Sequence, residues 1–431
     1  MEKVIFHIDV NSAFLSWTAA YRIHVLGEKT DLREIPSVVA GDKASRHSII
    51  LAKSQPAKKY GISTGEPLFQ ALEKCPDLTV VQPDYDLYVE ASRHFVALLR
   101  RFSPKVEQYS IDEAWVDMTG TQKLHGQPVA AAEKIRKAVN DQLGFTVNIG
   151  ISSNKLLAKM AGDFEKPNKI HTLFPEEIPA KMWVLPVRDL FLVGGATEKK
   201  LNRMGIYTIG DLAAADLEVL RRRLGKQGET LWHFANGRNA ELVTPEPPEN
   251  KGYGNSVTTA RDVETRESAY QVLLSLCETV GMRLRKDEKS GRCISVHLRT
   301  NAFRHYSHQM LLDSATNITS ELFTGACRVF DEAWDGKTPL RQLGVQVTRL
   351  EEPYRQYDLL SGLSPRQYER KIALDETVDQ LRDKFGENVI RRAKFTESPD
   401  DHMAGGLSKA RRTGVTKPVP QEFDPNKLPK K

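Results

Sequence analysis

The stretch Ser110 to Met118, with the sequence SIDEAWVDM, constrains the fold more than any other part of the chain. Its second half alternates apolar and other side chains with a period of two, which predicts a β-strand. Asp112 and Glu113 are adjacent where that strand begins. Successive side chains of a regular strand point to opposite faces, so two adjacent acids converge only where the backbone bends. We therefore expect both acids at or near the tip of a hairpin, with PKVEQYS as its other strand.

A bound metal ion is one reason to hold such a bend, whereas a solvated acidic turn is the more common explanation of a lone Asp-Glu pair. A third acid far away in the chain makes the metal site the more favoured of these two explanations. The apolar run from Val4 to Ile8 is typical of a buried strand and ends at Asp9. A helical pattern follows, with Asn11 or Ser12 as the N-cap. Asp9 on its own fits a functional acid or a cap.

Composition and length describe an ordinary globular chain. Its 431 residues suffice for roughly two to four domains, and 40% are apolar and 27% charged. No apolar run approaches the ~20 residues that cross a bilayer, and the N-terminus lacks a signal-peptide pattern, so we expect a cytoplasmic protein without a membrane segment. The four cysteines have no CxxC spacing, which favours reduced thiols over disulfides or a zinc site.

Basic residues are concentrated in particular segments. From Gly281 to Met310 there are seven Lys or Arg against two acids, and the tail after Ser408 is also basic. Such a face is expected of a protein that binds a phosphate backbone, although solvated surface is the usual explanation. A second basic segment follows the strand pattern PSVVAGD and includes Lys53, Lys58 and Lys59. This segment either binds a nucleotide triphosphate or forms the solvated face of an amphipathic helix.

The order of patterns predicts an α+β fold. A helical pattern over residues 86–102 precedes the hairpin, and a second helix, PVAAAEKIRKAVNDQL, precedes the strand FTVNIGIS. An antiparallel sheet backed by helices, of the ferredoxin-like kind, accounts for this order and would bring the three acids together from two strands. The next helix carries Lys155 and Lys159, with Lys166 close behind them, and Pro167 is expected to stop it.

The second half of the chain predicts contacts with nucleic acid. The turn at Gly194 and Gly195 fits a helix-hairpin-helix, which presents backbone N–H groups to a DNA phosphate, and an ordinary helix pair fits it equally well. A Pro- and Glu-rich linker follows at 241–253, and a second αβ region lies beyond it. One face of its sheet is apolar, and the other suits either a nucleic-acid backbone or solvent. The residues of that other face are Arg299, Arg304, His305, Gln346 and Thr348.

Five segments together resemble a known family. They are FHIDVNSAF, ILAKSQPAKKYGI, YSIDEAWVDM, GISSNKLLAKMAGDFEKPN and VGGATEKKLNRMGI. This combination resembles the Y-family translesion DNA polymerases, most closely their bacterial members, from about residue 1 to 350 and more weakly to 395.

The resemblance implies a multidomain α+β architecture of palm, fingers, thumb and little finger. The palm would comprise residues 1–14 and 83–173, the fingers 15–82 and the helical thumb, with its helix-hairpin-helix, 174–240. The linker 241–253 would lead to a separate αβ little finger domain at 254–352. Residues 353–431 would form a C-terminal helix and a basic tail.

The resemblance also implies a template-directed, low-processivity polymerase that adds dNTPs to a primer on primer-template DNA during damage tolerance, acting on the chromosome as a monomer. Asp9, Asp112, Glu113 and the backbone carbonyl of Val10 would hold two Mg²⁺ ions. Asp9 and Asp112 would bridge both ions, and Glu113 would serve the one at the primer hydroxyl. Carboxylates suit Mg²⁺, which prefers hard oxygen ligands.

Further positions match the family one by one. Phe14 occupies the steric-gate position, where a ring would exclude a 2′-hydroxyl, and a core aromatic is the alternative. Lys58 and Lys166 match residues that contact the incoming triphosphate. Lys58 replaces the commoner arginine, and a lysine lacks the bidentate fork, so triphosphate binding would be weaker or differently shaped. Ser54 and Gln55 also depart from the Asn-Tyr of many relatives.

Two matters stay open at this level. RQYDLLSG resembles a sliding-clamp-binding peptide at Gln356 to Leu360, although an ordinary surface loop fits nearly as well. Nucleotide cyclases also use a ferredoxin-like palm with two metals, but they need neither the helix-hairpin-helix nor a basic second sheet. A non-catalytic DNA-binding or clamp adaptor would have lost acids that this chain keeps.

Overall fold

The computed structural model of the chain describes residues 3–41, 48–353, 365–396 and 402–403. The described residues up to Pro247 form one compact unit, and those from Pro248 form a second. No helix within these ranges is long and apolar enough to span a membrane. The predicted clamp peptide, Gln356 to Leu360, and the basic tail lie outside the described residues.

The first unit alternates strands and helices and then becomes helical. Its elements are β1 (Ile5–Val10), α1 (Ala13–His24), β2 (Ser37–Ala40), β3 (Ile50–Lys53), α2 (Gln55–Lys59), α3 (Leu68–Lys74), β4 (Thr79–Val81), α4 (Tyr85–Arg100), β5 (Val106–Gln108), β6 (Glu113–Asp117), α5 (Gln122–His125), α6 (Pro128–Leu143), β7 (Val147–Ser152), α7 (Lys155–Gly162), β8 (Ile170–Thr172), α8 (Ile178–Lys181), α9 (Gly195–Asn202), α10 (Ile209–Ala214), α11 (Leu217–Leu224) and α12 (Lys226–Ala235).

A five-stranded sheet, in the order β5-β6-β1-β7-β8, forms the centre of this unit. Strand β1 pairs antiparallel with β6 and β7, and β8 joins β7 in parallel. All six residues of β1 are buried, as the apolar run predicted. Phe6 and Ile8 belong to the main core of the unit. Burying such a side chain stabilises a fold by roughly 1.5–3 kcal/mol, so β1 anchors whatever its polar residues carry.

A smaller sheet, in the order β3-β2-β4, lies in the segment expected to form the fingers. The strand at β2 is confirmed, but β3 and β4 were not predicted. The basic segment was interpreted as a triphosphate-binding segment or the solvated side of a helix, because its lysines were given more weight than the apolar Ile50 and Ala52 of β3. Both side chains are buried in the structure.

Most of the helices predicted in this unit are confirmed. Helix α1 has Ser12 as its N-cap, in the left-handed region at φ 49° and without a side-chain capping bond. The prediction that Pro167 stops α7 is wrong. The helix ends at Gly162, where Asp163 N–H bonds back to Met160 O at 3.2 Å.

The second unit is a four-stranded antiparallel sheet with helices on one face. Its elements are β9 (Gly252–Val263), α13 (Arg266–Lys286), β10 (Ser290–Thr300), β11 (His305–Thr316), α14 (Thr319–Ala333), β12 (Leu340–Glu351) and α15 (Pro365–Phe385). The strand order is β11-β10-β12-β9. Leu343, Val345 and Val347 are buried in its core, as their alternation predicted. Strand β9 was missed because its first residues were assigned to the linker, and α15 lies within the segment 353–431 that was expected to contain a C-terminal helix.

Buried ion pairs fasten α15 to this sheet-and-helix core. Glu278 on α13 accepts from Arg382 on α15 at 2.6 Å, and both side chains are only 4% exposed. Asp375 accepts from the N–H of Thr319 at 2.7 Å, and so caps α14, which has no capping side chain of its own. Arg285 joins Asp375 at 3.2 Å. Because unpaired buried charges are costly, these pairs fix where α15 packs.

Candidate active site

Asp9 and Glu113 lie directly opposite each other in the register of β1 and β6. Directly opposed residues of an antiparallel pair share one face of the sheet. Val10 N–H donates to Asp112 O at 3.0 Å, so the backbone of the third acid is tied to the same point. Two acids from one hairpin and one from the neighbouring strand therefore meet at this end of the sheet, as sequence analysis expected.

The hairpin supplies the bend that two adjacent acids require. Asp112 lies in the loop between β5 and β6, whereas Glu113 is the first residue of β6. Tyr109 N–H donates to Glu113 O at 3.0 Å and closes this loop. Ser110 Oγ donates to Asp112 Oδ1 at 2.7 Å. Burial raises the pKa of the Asp112 carboxyl, and the hydrogen bond from Ser110 opposes that effect.

Glu113 has two basic neighbours on one of its oxygens. Lys159 Nζ lies 2.8 Å from Glu113 Oε2, and His7 Nε2 lies 3.6 Å from the same atom. Burial acts to raise the pKa of Glu113, but His7 and Lys159 outweigh it and bring the pKa down to about 2. Glu113 is therefore a carboxylate at any physiological pH. Burial lowers the pKa of His7, which is fully buried beside Lys159.

Lys166 is paired with Asp9. Its ammonium contacts Asp9 Oδ2 and also lies 2.8 Å from Asp163 Oδ1. Burial acts to lower the pKa of Lys166, but Asp9 and Asp163 outweigh it and raise that pKa. Burial dominates at Asp9 and raises the pKa of its carboxyl in spite of Lys166. A cation thus already sits against Asp9 in this arrangement.

Buried amides hold the loop that carries Lys166. Asn148 on β7 donates to Gly162 O at 3.0 Å and to Glu165 O at 2.7 Å. Its Oδ1 accepts from Asn11 Nδ2 at 3.1 Å. Asn11 Oδ1 in turn accepts from Asn168 N–H at 2.9 Å. This network positions the loop from β7 and from Asn11, which directly follows the strand that carries Asp9.

Helix α7 lies unusually close to the sheet because β7 has a glycine beneath it. A Cβ on Gly150 would lie 1.9 Å from Ala158 O and 2.3 Å from Gly162 N. This approach brings Lys159 to Glu113, and Lys155 one turn earlier to Glu107 at 2.7 Å. Lysines four residues apart share one face of a helix, so a single close contact places both.

The donor set suits a hard divalent cation, since carboxylate oxygens are what Mg²⁺ prefers. In the described ranges, however, no cluster of three or more His, Cys, Asp or Glu side chains is arranged so that it could hold a metal ion. The contacts above give the physical reason. Asp9 and Glu113 are each turned toward a lysine, so ammonium groups compensate the charge that a metal ion would otherwise meet.

Phe14 lies on α1, five residues after Asp9 in the chain, within a group of aromatic rings. Its ring is stacked on Tyr88 with centroids 4.4 Å apart, and Tyr85 meets it edge-on at 6.1 Å. Tyr88 is itself fully buried, and its hydroxyl lies 3.1 Å from Thr18 Oγ1. Phe14 is only partly buried, so this stacked residue stays partly accessible.

Lys58 is exposed on α2, and no contact joins it to the acids within the described residues. Ser54 caps this helix by accepting from Ala57 N–H at 3.1 Å. It also accepts from Ser37 N–H at 3.1 Å and is 3% exposed. Ser54, which replaces a residue found in many relatives, therefore has a structural role as the cap of α2. Lys58 lies on the exposed face of that helix.

The predicted DNA-contacting residues lie in two places. Gly194 is the N-cap of α9 and Gly195 its first residue, so their N–H groups stand at a helix N-terminus. In the second unit, Arg304 is exposed beside β11, and Arg299 is half-buried on β10. The guanidinium of Arg299 lies 4.6 Å from the centroid of the exposed Phe303 ring. The face opposite the helices has a depression lined by His297, Arg299, His305, Ser307, Gln342 and Gln346, among others.

Sequence analysis missed three residues that shape this site: His7, Asn148 and Tyr88. His7 was counted as part of an apolar run, although its position two residues before Asp9 places it on the same face of β1. Tyr88 was assigned only to the apolar face of α4. Asn148 interrupts the apolar strand FTVNIGIS, and a polar residue inside a buried strand signals a required partner.

Comparisons with family models cover most of the chain. The model of the impB/mucB/samB family matches residues 8–163, and the model of that family's C-terminal domain matches residues 250–359. Between them, a model of the DNA polymerase-iota thumb domain matches residues 188–239.

Curated relatives match over nearly the whole length. DNA polymerase IV of Clostridium acetobutylicum is 44% identical over 401 residues, which is 93% of this chain and 100% of the relative. DNA polymerase IV of Acetivibrio thermocellus is 37% identical over 396 residues, covering 91% and 97%. Among solved structures, a Y-family DNA polymerase chimera, Dbh-Dpo4(243-245)-Dbh, aligns with a TM-score of 0.69 at 22% identity, covering 81% of this chain and 99% of that one. That last likeness supports the fold alone.

Proposed function

The chain belongs to the Y-family DNA polymerases, and from that premise we propose that it extends a primer 3′ end by nucleotidyl transfer at Asp9, Asp112 and Glu113. It is a DNA-directed DNA polymerase of the translesion type, and its substrates are dNTPs and primer-template DNA. We assign it to DNA damage tolerance, with two Mg²⁺ ions as cofactors. The observation that carries the assignment is the register of β1 and β6, which sets Asp9 opposite Glu113 and ties Val10 to Asp112.

The acids divide the work of metal binding. Asp9 and Asp112 would each serve both ions, with the carbonyl of Val10 as a further ligand. Glu113 would serve the ion beside the primer hydroxyl. Held by these residues, two ions would supply activation of the primer hydroxyl and stabilisation of charge on the phosphates. The low pKa of Glu113, about 2, keeps it ionised and ready for a cation.

Two lysines would receive the triphosphate. Lys166 stands between Asp9 and Asp163, so its ammonium is held at the mouth of the acidic site. Its raised pKa keeps it charged, which suits neutralising the charge that develops on the leaving phosphates. Lys58 is exposed on α2 and would act as a point charge rather than as a bidentate clamp.

Phe14 would act as the steric gate. A ring selects against a 2′-hydroxyl only if it cannot move away, and the stack on Tyr88 at 4.4 Å restrains it. Discrimination would follow from the fixed position of the accessible edge, since Thr18 in turn lies against the Tyr88 hydroxyl.

DNA would be held by backbone N–H groups at Gly194 and Gly195 and by the sheet face that carries Arg299 and Arg304. The first provides a helix N-terminus for a phosphate, and the second provides cations beside an exposed ring. In domain terms, we propose a palm at 1–14 and 83–173, fingers at 15–82, a thumb at 174–240 and a little finger at 254–352.

Primer extension tests the assignment of the acids. Wild-type protein, Asp112→Ala and the control Glu133→Gln are given a templated primer, dNTPs and Mg²⁺. Glu133 is exposed on α6, so its variant should match wild type, whereas Asp112→Ala should add no nucleotide. Equal extension by Asp112→Ala and wild type would remove the carboxylates from the chemistry.

A further inference from the structure

The two carboxylate oxygens of Glu113 have different surroundings. Lys159 Nζ lies 2.8 Å from Oε2, and His7 Nε2 approaches the same oxygen at 3.6 Å. Within the described part of the chain, Oε1 has no hydrogen bond or ion pair. The Glu113 side chain is 21% exposed, so Oε1 is the oxygen left to bind something from outside.

Lys159 is fixed in this position. The residue is only 8% exposed, although an ammonium normally lies in water. Its Nζ also lies 5.3 Å from the centroid of the Tyr109 ring and 5.4 Å from that of Phe191. Gly150 allows α7 to approach the sheet, and so sets the backbone that carries this side chain. The ammonium therefore remains on Oε2.

We propose that Lys159 restricts Glu113 to one available oxygen and so makes the site selective for Mg²⁺ over Ca²⁺. The proposal rests on the proposed function, because it takes Glu113 as a metal ligand. Ca²⁺ takes six to eight oxygens in flexible geometry and accepts both oxygens of one carboxylate. Mg²⁺ demands near-octahedral geometry, into which a single carboxylate oxygen fits. Lys159 acts through Glu113 and is a positioning residue.

A simpler role for Lys159 is to neutralise charge among the acids. The two roles differ in what they do to two ions of equal charge. Loss of a positive charge changes the affinity for Mg²⁺ and Ca²⁺ in the same direction and to a similar extent. Loss of the Lys159 contact would free Oε2 and increase the affinity for Ca²⁺ alone. A change in the ratio of the Mg²⁺ and Ca²⁺ affinities therefore reports on coordination and not on charge.

Direct metal binding provides the test. Mn²⁺ bound to the full chain is counted by electron paramagnetic resonance, and Mg²⁺ or Ca²⁺ is titrated in as competitor. Lys159→Met removes both charge and donor, whereas Lys159→Gln removes the charge but keeps an N–H donor for Oε2. The Mg²⁺-over-Ca²⁺ ratio should fall in Lys159→Met, by up to the roughly 10-fold by which loss of a partner that orients a metal ligand weakens metal binding, and stay closer to wild type in Lys159→Gln.

Controls separate this inference from the proposed function. Lys169→Met, which removes a half-exposed lysine paired with Glu165, should leave the ratio unchanged. Asp112→Ala should abolish Mn²⁺ binding, and if it does not, the assignment of the acids fails. A wild-type ratio in the Met variant would overturn the role of Lys159 while leaving that assignment intact. Lys159→Ala replaces the Met variant in the same comparison if thermal melting shows that the latter does not fold.

Discussion

The ring of Phe14 lies parallel to that of Tyr88, with centroids 4.4 Å apart and an interplanar angle of 6°. Phe14 is partly exposed on α1, whereas Tyr88 is wholly buried on another helix. The buried Tyr88 ring therefore restrains the partly exposed Phe14 ring. Selectivity against a substrate that is larger by one hydroxyl depends on such rigidity, because a ring that can turn aside excludes nothing.

Replacement of Phe14, the proposed steric gate, should admit ribonucleotides. Phe14→Ala removes the ring, and with it a clash of roughly 1–3 kcal/mol, which corresponds to about 5- to 150-fold in rate. The measurement is the ratio of kcat/KM for a dNTP to that for the matching rNTP in single-nucleotide addition. An unchanged ratio would mean that Phe14 is a core aromatic and that another residue is the gate.

The backing of the gate should matter in its own right. Tyr88→Leu removes the stacked ring, so Phe14 gains freedom and the dNTP-over-rNTP ratio should fall by a smaller factor than in Phe14→Ala. Tyr88→Phe keeps the ring and loses only the hydroxyl near Thr18, so it should retain most of the discrimination. A Leu variant with wild-type discrimination would show that the stack is structural only.

The close packing of α7 should be sensitive to one methyl group. Gly150→Ala places a Cβ 1.9 Å from Ala158 O, and the helix must shift to admit it. Overpacking of this kind costs about 1–3 kcal/mol or more, which thermal unfolding will detect. A shift of α7 also withdraws Lys159, so primer extension should fall as well. Gly194→Ala, where no atom lies within 4 Å of the new Cβ, is the control for stability.

The ion pairs that hold α15 should make the second unit sensitive to acid. Burial acts to raise the pKa of Glu278, but Arg392 and Arg382 outweigh it and lower that pKa below the ordinary 4.5. A carboxyl with a lowered folded-state pKa contributes stability above its unfolded pKa and loses it as the pH falls through the folded value. We therefore expect the free energy of unfolding to decrease below about pH 4.5.

Glu278→Gln tests this source of stability. The variant leaves Arg382 buried without its counter-charge, which costs about 3–5 kcal/mol near neutral pH. Its stability should also depend less on pH in the acid range than that of wild type. Glu267→Gln, at an exposed position on the same helix, should match wild type in both respects. A Gln variant as stable as wild type at pH 7 would show that the ion pairs contribute little.

The basic sheet face should account for part of the salt dependence of DNA binding. Arg304→Ala should weaken binding to primer-template DNA across sequences and reduce the slope of log K against log salt by about 1. Arg328 is exposed on α14, the helix that packs on the opposite face, so Arg328→Ala is the matched control. Equal slopes for both variants would place the DNA elsewhere.

Much of the candidate site could be predicted because its residues lie in short segments with recognisable local patterns. The strand pattern around SIDEA, the apolar run that ends at Asp9 and the Gly-Gly turn each combine residue type with local spacing, and periodicity reports burial directly. The predicted ferredoxin-like α+β fold is confirmed by the sheet order and by the likeness to the solved chimera. Strands β3 and β9 were missed because lysines in one case and linker residues in the other masked a weak alternation.

Sequence by itself therefore determined the buried strands β1, β7 and β12, the placement of the acids near strand ends, and the family that the chain resembles. Only the tertiary structure decided which partner each charge has. Three ion pairs join residues that are far apart in sequence. Lys159 and Glu113 are separated by 46 residues, Lys166 and Asp9 by 157, and Glu278 and Arg382 by 104. The physical reason is that periodicity encodes the face on which a side chain lies, whereas a partner is chosen by how closely two elements pack. At Glu113 that distance depends on Gly150, a residue whose lack of a side chain carries no chemical signal of its own.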